Sequence, residues 1–215
     1  MSASDPYYAS RFVPDPTRRT VWREIVRFLK PYVPAHATVV DLGAGYCDFI
    51  NEVGAEKKYA VDISPELSRH AASGVTILNE SAKNISSIPD SSADVVHASN
   101  FLEHIDDTDL PGVMSEIRRI LKQEGRLILL QPNFRIASAR YFDDYTHRRI
   151  WTDAGLSAFL MSEGFTTELA RPRFLPFSLR SRPSLIPAHP LIVRAYIHAP
   201  WKPFAGQMLI VARKK

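Results

Sequence analysis

A chain of 215 residues, 45% apolar and 23% charged, carries enough apolar side chains for one sizeable core and is short for two. That balance excludes the disordered and fibrous classes, and no run approaches the ~18 apolar residues of a transmembrane helix. The net charge of +4 is unevenly placed, with nine Arg or Lys and no Asp or Glu between Arg171 and Lys215. Such a stretch is either a solvated basic face or a surface for an anionic partner: a membrane, a phosphorylated acceptor or nucleic acid. The single cysteine, Cys47, excludes an intramolecular disulfide and fits a reducing compartment. Residues 1–10 lack the apolar centre of a secretory signal, so a cytoplasmic protein is expected.

Taken in order, Asp5 to Pro16 reads as an extended arm holding Tyr7, Tyr8, Arg11 and Phe12, either a flap over a ligand mouth or a terminus packed on a sheet. Thr17 is a candidate N-cap for a helix whose Val21, Trp22, Ile25, Val26, Phe28 and Leu29 fall at helical spacing. Pro31 and Pro34 end it. Thr38 to Leu42 is a β-branched strand, followed by Gly43 and Gly45 and a short helix over Tyr46 to Gly54. Strand, glycine turn and helix start let backbone approach an adenosine-type ligand without Cβ interference. A pyrophosphate-binding turn wants a third glycine where this chain has Asp48, a poor neighbour for a dinucleotide.

Lys58 to Asp62 is a second strand with an acid at its end, about twenty residues after the glycine turn. Asp62 either accepts from both hydroxyls of a ribose or merely serves the Ser64-Pro65-Glu66 turn. A helix to Ser73, strands Val75–Leu78 and Val95–Ala98, and an amphipathic helix from Asp107 to Lys122 follow. Gly125 opens a buried fifth strand. Phe134 to Ile150 reads as a loop, Thr152 to Glu163 as a helix, Phe165 to Arg171 as a sixth strand and Gln207 to Arg213 as a seventh. The roughly 35 residues between the last two hold seven of the sixteen prolines and are long for a connection. They read as a proline-stiffened lid with one helix near Pro190–Ile197.

Asp41-Leu42-Gly43-Ala44-Gly45 ending a strand resembles motif I of the class I S-adenosylmethionine-dependent methyltransferases. Ser99-Asn100-Phe101-Leu102-Glu103-His104-Ile105 resembles that family's Leu-Glu-His-Ile signature after strand four, and Leu121-Lys-Gln-Glu-Gly125 its turn before strand five. The resemblance spans roughly Trp22 to Arg171 plus the last strand. It implies a doubly wound, Rossmann-like α/β sheet of seven strands in the order 3-2-1-4-5-7-6, the last antiparallel, with helices on both faces. The chain is then one domain, with an arm and helix over 1–34 and an inserted lid over 172–205. S-adenosyl-L-methionine is the implied cofactor. Its implied neighbours are Asp41, Gly43, Gly45 and Tyr46 at the turn, Asp62 and Ile63 after strand two, and Asn100, Phe101 and Glu103 after strand four. Ser81 stands where the family carries the acid that binds adenine; Ser81, Glu80 or a backbone amide is left for that task.

Methyl transfer to a hydroxyl profits from a base near the acceptor. Asp143, Asp144 and His147 lie in the segment after strand five, and a carboxylate four residues from an imidazole shares a face with it in helix or strand. His147, oriented by Asp143 or Asp144, is the expected base, with His104 next in line. The same three residues also suit a divalent metal or a purely structural turn, and no metal is assigned. Phe142 to Thr152 resembles the equivalent loop of bacterial methyltransferases, some of which act on sugars, glycolipids or other small hydroxylated metabolites. The expected reaction is therefore oxygen methylation of a small or lipid-linked saccharide, with peripheral contact to an anionic membrane through Arg180, Arg182, Arg194 and Lys202. The Ser-Asn-Phe-Leu segment lacks the proline pair of base-amine methyltransferases, and no nucleic-acid partner is expected. The rival readings are a turnover-deficient cofactor-binding module and a nicotinamide-dependent reductase, the latter disfavoured by Asp48 and the Glu103-His104 pair.

Overall fold

The protein is described by a computed structural model covering residues 17–176 and 189–215; the expected aromatic arm, with Tyr7, Tyr8, Arg11 and Phe12, lies outside those residues. The chain runs through α1 (Thr17–Leu29), β1 (Thr38–Leu42), α2 (Asp48–Glu52), β2 (Lys57–Val61) and β3 (Val75–Leu78). It continues through β4 (Ala93–Ser99), α3 (Leu110–Ile120), β5 (Leu121–Pro132), α4 (Phe134–Tyr141) and α5 (Asp153–Ser162). Strand β6 (Phe165–Pro176), helix α6 (Pro190–His198) and strand β7 (Ala205–Lys214) complete it. The seven strands form one sheet in the order β3-β2-β1-β4-β5-β7-β6. Strands β1 to β5 pair in parallel, and β7 inserts antiparallel between β5 and β6, as the family resemblance implies.

Alternation along the strands builds two cores. Val40, Leu42, Val96, Ala98, Leu127 and Leu129 face α3 and α5, while Val39, Val95, Ile128 and Leu130 face α1, α2 and α6. A sheet covered on both faces needs apolar residues of both parities, which is why Leu127 to Leu130 of β5 form a continuous apolar run. No helix among the described residues is long and apolar enough to cross a membrane.

Helix α1 is tied to α2, the helix that the glycine turn opens. Arg18 reaches Asp48 (Nε–Oδ2 2.9 Å), and Arg19 and Arg23 converge on Glu52 at 2.6 and 2.9 Å. Beneath this clamp, Asp41 and His97 are partners in register on β1 and β4. Their side chains meet at 2.7 Å with both residues buried, and Phe49 stacks on the imidazole at 3.7 Å between ring centroids.

Three elements differ from the sequence reading. The segment after Ser64, expected to be helical to Ser73, is a single 3-10 turn over Pro65–Arg69. Asn51 on α2 donates to the His70 carbonyl and accepts from the Ala72 amide, both at 2.8 Å, so tertiary bonds take groups that a longer helix would have paired itself. The expected loop from Phe134 contains α4, whose N-cap Asn133 accepts from the Arg135 amide and which buries Ala137 and Tyr141. Strand β6 runs past Arg171 to Pro176 because Phe174 and Leu175 are buried beneath α1 and α6. Part of the expected lid is thus sheet, and α6 docks on α1 through Val193, Ile197 and the Arg194–Glu24 ion pair at 2.8 Å.

Gly43 sits at φ +62°, and a Cβ built there would come within 2.5 Å of the Phe101 ring. Strain and clash act together. Gly43→Ala is expected to destabilise the fold by about 1–2 kcal/mol, measured as a lower midpoint in chemical denaturation with an unchanged slope.

Candidate active site

The carboxyl ends of β1, β2 and β4 meet where the strand order reverses, the usual crevice of a doubly wound sheet. The turn after β1 is held by β2: the Val61 carbonyl accepts from the amides of Gly43 (2.9 Å) and Ala44 (3.2 Å). Asp62 completes the hold. One carboxylate oxygen accepts from the Gly45 amide at 2.9 Å and the other from the Ser64 amide at 2.8 Å. Burial raises its pKa above the ordinary value, and those amide bonds hold the rise back. An ionised carboxylate offers about four acceptor positions; the amides of Ser64, Gly45 and Ile63 act on this one, so acceptor capacity remains for a ribose hydroxyl. Turn and ribose roles are therefore compatible on one side chain.

The other expected cofactor neighbours divide. Phe101 packs over Gly43, and Asn100, at φ +49°, accepts from the Gln207 side chain at 3.0 Å. Tyr46 lies between the Arg18 guanidinium and the His70 ring, and Ile63 is exposed beyond the end of β2. Asp41 is buried, and one of its carboxylate oxygens meets His97 inside the fold. Ser81 caps its own turn by accepting from the Lys83 amide at 3.3 Å. The Glu80 carboxylate accepts from the Ser86 hydroxyl and the Ser87 amide, both at 3.4 Å.

Glu103 departs most from expectation. Its side chain is 0% exposed, not part of a cofactor-lining surface, and neither carboxylate oxygen has a hydrogen-bond partner. Its ligand atom, one from His104 and one from His147 all lie within 4.8 Å of one another. Burial pushes the Glu103 pKa up to about 8, the charge of Asp144 adds to the rise, and the nearby amides of Glu103 and Phe101 offset it in part. The segment after β5 is pinned here through main chain: the Glu103 carbonyl accepts from the amides of Arg148 (2.7 Å) and Arg149 (3.1 Å). Tyr141 secures the other side by donating to the Arg149 carbonyl at 2.7 Å.

Within that pin, His147 is buried between the rings of Tyr141 and His104. Asp143 is exposed. Asp144 turns to Thr146, accepting from its amide at 3.1 Å and from its hydroxyl at 2.6 Å. The Thr146 hydroxyl oxygen lies 3.0 Å, and its carbonyl 3.3 Å, from Nδ1 of His104. The hydroxyl has one proton, given to Asp144, and a carbonyl only accepts. Nδ1 of His104 is therefore the protonated nitrogen, and the lone pair falls on Nε2. The sequence reading missed Thr146 and the carboxylate of Glu103. The Asp144-x-Thr146 spacing, typical of a side chain capping two residues on, was the available signal for the first; nothing local signals the second.

A glycine turn at the switch point of a parallel sheet, an acid after β2 and a histidine cluster after β4 define a nucleotide-cofactor transferase site. The description "methyltransferase domain" attaches to the family model that matches residues 15–168, and the chain belongs to that family. Solved S-adenosylmethionine-dependent methyltransferases share the fold. The one from Archaeoglobus fulgidus is 20% identical at TM-score 0.69, covering 91% of this chain and 94% of that one. One from Thermotoga maritima is 19% identical at 0.66, covering 99% and 97%. Another from Mesorhizobium loti is 17% identical at 0.62, covering 88% and 96%. No protein of curated function matches the chain. The cofactor is S-adenosylmethionine, and the nicotinamide reading falls.

The Glu103 carboxyl takes up its proton more readily in the folded state, with a pKa of about 8 against the ordinary 4.5. Its contribution to stability is thus complete below pH 4.5 and is lost as pH rises through 8. Glu103→Gln removes that loss. It is expected to be more stable than the wild type at pH 8 by about 1 kcal/mol or more, or roughly 2–4 °C in melting midpoint, with the gap closing toward pH 5. Thermal melts across that range check it.

Proposed function

We propose that the protein methylates a hydroxyl oxygen of a small or lipid-linked saccharide, with His104 as general base. The observation that carries this reading is the Asp144–Thr146–His104 chain. It fixes the tautomer of a half-buried imidazole at the end of β4 and puts the ring's lone pair on Nε2. The sequence reading gave that role to His147, but His147 is the more deeply buried of the two, and Asp144 acts on His104 through Thr146. His147 and Glu103 then back the base: a neutral Glu103 leaves no fixed negative charge against the ring at rest.

When bound, S-adenosylmethionine supplies a methyl group already activated by a positively charged sulfur. Asp62 holds the ribose hydroxyls, and the turn around Gly43 and Gly45 gives backbone-close seating. Phe101 and Asn100 wall the crevice from the β4 side. His104 accepts the acceptor's hydroxyl proton as the oxygen becomes nucleophilic, and Asp144, through Thr146, stabilises the resulting imidazolium. A cytoplasmic setting belongs to the same proposal and is supported by Cys47, a buried thiol pushed up to about 12 by burial first and neighbouring acids second, which suits a structural role.

A second reading rests on the same cluster. Two histidines and one carboxylate with ligand atoms within 4.8 Å form a donor set suited to a divalent transition ion, which would orient acceptor hydroxyls instead of deprotonating them.

Conversion of S-adenosylmethionine to S-adenosylhomocysteine over a panel of hydroxylated saccharides separates these. His104→Ala is expected to lower turnover by about 10²-fold or more while S-adenosylhomocysteine affinity holds. Normal turnover in that variant with loss in His147→Ala moves the base to His147. Loss of wild-type activity on chelation, restored by added ion, establishes the metal reading. Separately, Asp62→Ala is expected to weaken S-adenosylhomocysteine binding by ~1–3 kcal/mol in calorimetric titration. Unchanged affinity removes Asp62 from the site.

A further inference from the structure

A second concave site lies away from the crevice. A cavity of about 570 Å³ opens between the C-terminal part of α1, strand β6 and the end of α6, with Phe28, Arg171, Arg173, His198, Pro200 and Lys202 on its walls. Arg171 and Arg173 both lie on its wall, in the stretch of β6 where pairing with β7 is irregular between Arg171 and Leu175. No acidic residue lines the cavity, and none occurs anywhere from Arg171 to the end of the chain.

Counter-charge from neighbouring elements goes elsewhere. Glu24 on α1 is taken by Arg27 and by Arg194 of α6, and Glu168 on β6 is taken by Arg126 and Arg213. Arg194, expected from sequence to meet an anionic partner, is thereby consumed, while Arg180 and Arg182 lie outside the described residues. Among the described residues, Arg171, Arg173 and Lys202 take part in no ion pair. Lys202 is anchored by donating to the Ala199 carbonyl at 2.6 Å. Burial first, and then the positive charge of Arg171, pull its pKa below the ordinary lysine value. The cations are crowded together without an anion.

Apolar side chains are exposed next to the lining in sequence: Trp201, beside Lys202, is 77% exposed, and Phe204, two residues further on, is 54% exposed. Exposed aromatics beside a cationic recess suit an interface that is wet on one side and apolar on the other.

We propose that this cavity binds a phosphate group, and that the phosphate is the headgroup of an anionic phospholipid, with Trp201 and Phe204 entering the acyl boundary. Two guanidinium forks and an ammonium match phosphate oxygens, and an unpaired basic cluster gains from an anionic surface. The site would hold the protein on a membrane without using any residue of the methyl-transfer crevice. It stands or falls independently of the acceptor reading.

The test is co-sedimentation of the full chain with vesicles of phosphatidylcholine alone or mixed with phosphatidylglycerol, at low salt, alongside thermal-shift titration with pyrophosphate. Wild-type protein is expected to bind the mixed vesicles and to be stabilised by pyrophosphate. Arg171→Ala with Arg173→Ala should weaken both by roughly 10–30-fold with an unchanged melting midpoint in the absence of ligand. Trp201→Ala should weaken vesicle binding and leave the pyrophosphate response intact. Lys57→Ala, an exposed charge on β2, serves as the matched control and should change neither. A pyrophosphate response without preference for mixed vesicles overturns the lipid assignment and gives the cavity to a soluble phosphate ester. Full binding in the double arginine variant, or no response to either probe, overturns the site.

Discussion

The site depends on one main-chain feature: the carbonyl of Glu103 accepts from two successive amides, Arg148 and Arg149, on the segment that follows β5. That pin holds residues 148 and 149 against the end of β4, and the Thr146 contacts to Nδ1 of His104 and the Arg149–Asp107 ion pair hold the same segment there. The pin has a consequence for its own side chain. Glu103 is carried inward with the turn, away from water, and its carboxyl lies beside two imidazoles with only the nearby amides of Glu103 and Phe101 to answer its charge. A buried carboxyl stays protonated to a much higher pH than an exposed one, and the rise in its pKa follows from that placement.

On the other side of the crevice the logic is reversed. Asp62 is also partly buried, but two backbone amides answer its charge and hold the glycine turn in place. Asp41 pairs with His97 through one carboxylate oxygen. The three acids nearest the crevice thus have three different duties: one neutral and buried, one ionisable and bonded to the turn, one paired inside the sheet. Position on the strand ends decides which is which.

Most of the fold was legible because its signals are local. The β-branched run before Gly43, the parity of Leu127 to Leu130 and the acid after β2 each report their own surroundings. The misses are non-local. The helix expected to run to Ser73 is cut short by the side chain of Asn51, which is distant in sequence. Helix α4 was hidden in a polar stretch, although Asn133 as N-cap and the inward spacing of Phe134, Ala137 and Tyr141 were there to be read. In the site, a carboxylate four residues from His147 pointed to Asp143, which the structure leaves in solvent, and the acid that meets the imidazoles comes from across the crevice. Pairing rules within one segment have no access to such contacts. The same holds for Arg194: its basic neighbourhood was plain in the sequence, while its partner Glu24 sits 170 residues earlier.

The Asp144–Thr146–His104 chain assigns a definite tautomer to a single imidazole, and that assignment can be observed without any acceptor in hand. Nitrogen-15 NMR of histidine-labelled protein, with the His104 signals identified through a His104 variant, reads the protonated nitrogen directly at a pH where the ring is neutral. The account requires Nδ1 to carry the proton and Nε2 to show the shift of an unprotonated nitrogen. A proton on Nε2 would contradict it, because His104 could then not serve as the base that the proposed reaction needs.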